Sequence, residues 1–132
     1  MFGVFATGKI MNPKLARSQY IGGMTWGLPM ALLKESVLDE QYGYYVNHDL
    51  AQYRIPVSAD VGSIDVHIIE ETDSNIGPAQ AKGIGEIGIA AAAIANAVHH
   101  ATGIRVRDLP IRMDRLINAT QASTSREKGD LQ

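Results

Sequence analysis

Five consecutive residues, Lys82, Gly83, Ile84, Gly85 and Glu86, carry the strongest chemical signal in the chain. Two glycines flank one isoleucine just ahead of an apolar, alanine-rich stretch that reads as a helix. The backbone amides at that helix's leading end are therefore unobstructed by side chains, and such an end attracts an anion or the polar edge of a cofactor. A carboxylate at the same place, Glu86, is favoured in its ionised form by the helix field, which suits a general base at neutral pH. The same residues also allow a purely structural reading, with Glu86 capping its own helix and Lys82 a solvated cation.

Gly83, Gly85 and Gly88 also match the spacing of a Rossmann-like dinucleotide-binding loop, with Asp108 about 20 residues further on. That loop requires a hydrophobic strand running directly into its first glycine. Here Gly77, Pro78, Ala79, Gln80 and Ala81 precede it, and the nearest strand pattern ends near Glu70. A carboxylate at the helix start would also repel a pyrophosphate, so the dinucleotide reading is the lesser alternative. His48 and His67 have no second ligand at metal spacing, and His99 and His100, adjacent on a helix, point about 100° apart. No metal-ligating set of side chains is expected.

The elements that must position the loop follow from periodicity. Gly3 to Met11 reads as a short strand. Asn12 and Pro13 read as a helix cap and first helical residue, and apolar residues from Leu15 to Val37 recur at helical spacing, which predicts one long helix from Pro13 to about Leu38. Gly22, Gly23 and Gly27 leave one face of it bare, for close packing or, as the lesser reading, for approach of a bulky ligand; Pro29 predicts a kink near Thr25. Tyr42–Val46 and Ser63–Glu70 read as strands, the second alternating Ile64, Val66 and Ile68 with Asp65 and His67, so that one face is solvated. Between them lies an irregular connection with a turn around Leu50 to Tyr53. Glu71 to Gln80 reads as a loop. The helix from Ile87 to Ala101 is apolar almost all round, which predicts burial on most sides, and Gly103 ends it. Ile104 to Ile111 reads as a strand or extended edge, Met113 to Asn118 as a helical turn, and residues 120–132 as a polar disordered tail.

With 132 residues, 45% hydrophobic and 20% charged, the chain can close one core, assigned to residues 1–119. A net charge of −2 with interspersed signs offers no basic footprint for nucleic acid or an anionic membrane. No cysteine is present to supply a disulfide or an iron–sulfur ligand. No apolar run approaches the ~18 residues of a membrane span, and the first residues lack a secretory pattern, so the expected location is cytoplasmic, or periplasmic if exported within a complex.

Six segments occur in a fixed order: Gln19–Leu28, Tyr53–Pro56, Gly77-Pro78, Ala81–Gly88, Ala91–His100 and Arg107–Ile111. Together they resemble the C-terminal end of the molybdenum-binding subunit of the xanthine dehydrogenase and aldehyde oxidoreductase family, over Gly3 to Leu116. The form at Lys82–Gly88 is most like bacterial aldehyde-oxidising members. The resemblance implies that Glu86 lies beside molybdenum and accepts a proton during hydroxylation of an electrophilic C–H carbon. It also implies that Gln19, Lys82, Gly83, Ile84 and Gly85 line the pterin part of a molybdopterin cofactor, in its cytosine dinucleotide form. Pro29 and Ala79-Gln80 depart from the family pattern, which bears on the cofactor-facing backbone.

Relatives are several times longer, so the resemblance implies an excised piece or a truncated gene product that is incomplete alone and retains no cofactor. Its partners would be the remainder of the subunit and the iron–sulfur and FAD subunits or domains. As an isolated chain it is expected to self-associate into a homo-oligomer. A non-catalytic remnant acting as an assembly module is the alternative. The expected fold is α+β, a small mixed sheet packed against two long helices.

Overall fold

The computed structural model describes residues 1–85 and 90–120 of the chain. In order they form β1 (Phe2–Ala6), α1 (Pro13–Leu32), β2 (Leu38–Asp39), β3 (Tyr44–Tyr45), α2 (Ser58–Val61), β4 (Asp65–Ile69), a 3-10 turn (Ser74–Ile76) and α3 (Ala90–Thr102). Residues 113–120 are helical as well. The chain divides into two compact units, Met1–Gly27 with Pro56–Ala90 and Leu28–Ile55 with Ala91–Gln132.

In the first unit β1 pairs with β4 in parallel, from Phe2 opposite Asp65 to Ala6 opposite Ile69. Parallel neighbours need a long connection, and residues 7–64 supply it. Alternation decides which face is covered: Gly3 and Phe5 are buried, Val66 and Ile68 half-buried, while Asp65 and His67 face solvent. The core is Phe5, Tyr20 and Met24, with Ile64, Val66, Ile68 and Ile84 packed against it. The Phe5 and Tyr20 rings stack at 3.9 Å between centroids. α1 begins where its cap predicts, the Leu15 amide donating to Asn12 Oδ1 at 3.1 Å. It runs unbroken through Thr25, the expected kink position, with Pro29 inside it and fully buried. Gly23 and Gly27 are buried, whereas a Cβ at Gly22 would meet nothing, so only part of the bare face serves packing.

In the second unit β2 and β3 form an antiparallel hairpin, Leu38 opposite Tyr45 and Asp39 opposite Tyr44. Asp39 Oδ1 accepts the amides of Gln41 and Tyr42 and shapes the turn. This hairpin explains why α1 stops at Leu32 rather than near Leu38. Asn47 takes the following stretch: its Oδ1 accepts the Val37 amide at 2.9 Å, its Nδ2 donates to the Glu35 carbonyl, and the Val46 amide donates to the Val37 carbonyl. Residues 35–38 are thereby committed to cross-strand bonds.

Three other expectations change. Among the described residues the strands form two separate two-stranded sheets, one parallel and one antiparallel, rather than one mixed sheet. Ile104 to Ile111 joins no ladder; the Ile111 amide instead donates to the Ala31 carbonyl at 2.6 Å. α3 is not buried on most sides: only Ala90 is buried, and Ala92, Ala93, Ala97 and Ala101 are exposed. Its end does follow expectation, with Gly103 in the left-handed region at φ 72° donating to the His99 carbonyl. Of the expected tail, Thr120 is helical and residues 121–132 lie outside the described residues.

Candidate functional site

The loop singled out in the sequence is fastened to the end of β1. Gly8 and Ala81 form an antiparallel bridge, in which the Lys9 amide donates to the Gln80 carbonyl at 2.9 Å and the Lys82 amide to the Thr7 carbonyl at 3.1 Å. Thr7 is buried, and its Oγ1 accepts the Tyr20 hydroxyl at 2.9 Å. The strand end, the first turns of α1 and the glycine loop therefore meet at one place, each held through a partner in the core.

There they bound a cleft of about 210 Å³. Gln19, Leu15 and Ala16 reach it from α1, Thr7 and Lys9 from the end of β1, and Lys82 and Ile84 from the loop. Lys82 Nζ donates to Glu71 Oε2 at 2.7 Å. That hydrogen bond, helped by the nearby negative charges of Glu71 and Asp73, outweighs the opposing effect of desolvation and holds the ammonium above the ordinary lysine range. At Gly83 and Gly85 an added Cβ would meet no other described atom within 4 Å. Among the described residues the backbone there is open, so a large planar group can approach it edge-on while Gln19 offers an amide from the facing helix. This donor and acceptor set, with a half-buried Ile84 as apolar floor, fits a pterin ring system.

Of the residues expected at the site, Gln19, Lys82 and Ile84 line this one cleft. Gly83 and Gly85 continue the same loop. Glu86 lies outside the described residues, as does Gly88. No strand leads into Gly83: β4 ends at Ile69 and Ala81 makes only an isolated bridge. The dinucleotide reading thus lacks its required element. Sequence reasoning missed Thr7, Gly8 and Lys9, whose only trace is a glycine four residues before the Asn12-Pro13 helix start.

A larger cleft, about 700 Å³, lies in the second unit. Its Arg112 is shared between Glu35 and Asp114, each at 3.0 Å. Those hydrogen bonds raise the guanidinium further and hold the Asp114 carboxyl below the usual range, so Arg112, Glu35 and Asp114 satisfy one another. His48 Nδ1 donates to the Tyr45 carbonyl and His99 Nδ1 accepts from Arg105, bonds that fix local structure. Among the described residues no group of three or more His, Cys, Asp or Glu is placed to hold a metal. No described helix is long and apolar enough to cross a membrane.

Residues 1–62 match the model of the molybdopterin cofactor-binding domain family. The chain is 52% identical over 120 residues to the aldehyde oxidoreductase molybdenum-binding subunit PaoC of Escherichia coli K12, a match covering 89% of this chain and 16% of that protein. It is 37% identical to the xanthine dehydrogenase molybdenum-binding subunit of Escherichia coli O157:H7, over 88% of this chain and 16% of that one. Among solved structures, quinoline 2-oxidoreductase from Pseudomonas putida 86 superposes with a TM-score of 0.77 at 28% identity, covering 91% of this chain and 16% of the other. The chain thus spans about a sixth of the length of these relatives. These likenesses agree with the order of the six sequence segments: the chain belongs to the xanthine dehydrogenase and aldehyde oxidoreductase family of molybdenum-binding subunits.

Proposed function

We propose that this chain supplies one wall of the molybdopterin site, and the catalytic base, of a molybdenum hydroxylase acting on an aldehyde or an aromatic heterocycle. The observation that carries the reading is the seating of the Lys82–Gly85 loop opposite Gln19 in a chain half identical to an aldehyde oxidoreductase subunit. When bound, the molybdenum cofactor, in its cytosine dinucleotide form, supplies two-electron oxidation with oxygen insertion at an electrophilic C–H carbon. The chain's own residues do the rest. Gln19 donates and accepts hydrogen bonds at the pterin edge, and the amides around Ile84 and Gly85 approach it without side chains between. Lys82, paired to Glu71, fixes the loop's entry. Glu86, next along from Gly85 in the sequence, would accept the proton released in that oxidation.

Residues 1–119 act as a cofactor-binding subdomain at the C-terminal end of a larger subunit. Iron–sulfur and FAD subunits or domains would take the electrons onward, and the assembly would be cytoplasmic. The 132-residue chain alone is inactive and self-associates. In the complete enzyme, Glu86→Gln is expected to lower kcat by about 10²- to 10⁴-fold, the worth of a general base, with molybdenum content retained. Molybdenum analysis of the chain alone is expected to find none. Unchanged turnover in the variant would sink the assignment of Glu86, and stoichiometric metal in the chain alone would sink the claim that its site is only part of one.

A further inference from the structure

We propose that Gly8 and Glu71 are positioning residues that clasp the Lys82–Gly85 loop in the register its chemistry needs, a proposal that rests on reading that loop as cofactor-facing. Gly8 sits at φ 70°, a left-handed conformation that side chains rarely adopt. A Cβ built there would lie 2.4 Å from the Gln80 carbonyl oxygen. That oxygen belongs to backbone and cannot swing aside, and it is the acceptor for the Lys9 amide. Any residue larger than glycine at position 8 must therefore push the chain at Gln80 away from β1. Gln80 itself adopts φ 53°, so the loop is already held in an uncommon conformation at the point of closest approach.

The clasp is tied to the core at both ends. Upstream, Thr7 accepts the Lys82 amide through its carbonyl and the Tyr20 hydroxyl through its side chain. Downstream, Ile84 packs against Phe5, Tyr20 and Met24. Only Lys82 and Gly83 lie between the bridge at Ala81 and that packed isoleucine, so a displacement at Gln80 has little slack in which to die away. The Lys82–Glu71 pair adds a third tether from the loop's outer side. The shift needed to restore ordinary contact at Gly8 is about 1 Å, and a misplacement of about 1 Å at a reacting group is enough to cost on the order of 10²-fold in rate.

Amide hydrogen exchange on the full 132-residue chain tests the clasp without any cofactor. Gly8→Ala is expected to reduce protection of the Lys9 and Lys82 amides by at least about tenfold, while the β4 amides keep theirs as an internal check on the fold. Lys82→Met is expected to loosen the Lys82 amide about threefold, and Lys82→Arg, which can still pair with Glu71, to restore it. Undiminished protection in Gly8→Ala overturns the proposal. Should that variant fail to fold, undiminished protection in both Lys82→Met and Glu71→Gln does so instead. In the complete enzyme, Gly8→Ala is expected to lower molybdenum and pterin per subunit. A loosened loop with full cofactor content would leave the clasp standing and remove the reading of the loop as cofactor-facing.

Discussion

Tyr20 joins the core to the candidate site. It is fully buried, its ring stacks on Phe5 at 3.9 Å, and its hydroxyl is the partner of the buried Thr7 Oγ1. Buried hydroxyls are tolerated only when paired, so the side chain does two things at once: it fills the core and fixes the strand end that receives the loop. Tyr20→Phe keeps the ring and removes the donor. The expected cost is about 1–2 kcal/mol, the net worth of one hydrogen bond plus part of the penalty for leaving Thr7 without its partner. A urea titration of parent and variant reads this directly, and a midpoint unchanged at equal slope would show that Thr7 finds another partner. Gln19 stands next to Tyr20 on the same helix, and locking the one residue limits how far the other can drift from the cleft.

α1 carries Gln19 and therefore depends on where it starts. Asn12 sets that start by accepting the Leu15 amide, while the Ala16 amide bonds the Asn12 carbonyl. Asn12→Ala is expected to cost about 1 kcal/mol of stability, seen as a lower thermal midpoint, whereas Asn12→Asp, which keeps an accepting oxygen, is expected to hold it. Loss of equal size in both variants would mean that the cap is not what fixes the helix. Cap chemistry of this kind is local, which is why Asn12-Pro13 was legible in the sequence and the α1 start came out at Pro13. The other end was not legible, because the partner that claims residues 35–38 is Asn47, on the far side of a hairpin. Gly8 escaped notice for the same reason: its meaning depends on Gln80, remote in sequence. The alternation in β4 was readable since a strand's covered face shows within five residues. The glycine loop was readable as an open backbone, yet its fastening to β1 was not, since no local pattern encodes a single isolated bridge.

α3 shows a different kind of mismatch, between what its sequence asks for and what this chain gives it. A helix that is apolar nearly all round belongs in a core, yet its alanines here are largely exposed. β1 turns Phe2 and Val4 outward at 66% and 47% exposure, and Leu50 and Tyr42 stand 80% and 70% open. A two-stranded sheet is marginal by itself, and parallel strands are normally covered on both faces. Relatives about six times as long have chain enough to cover such surfaces, and the described residues of this one leave them open. Burying such apolar area between copies would be favoured by about 25 cal/mol for each Å² removed from water. The purified chain is therefore expected to elute in size-exclusion chromatography above its monomer mass of 14.3 kDa, and to enhance the fluorescence of a hydrophobic dye such as ANS. Both signals should fall on dilution, because self-association is concentration-dependent. A clean monomer that leaves the dye dark would mean that these faces find cover within the 132 residues, and that the exposed alanines of α3 do not mark a surface meant for more chain.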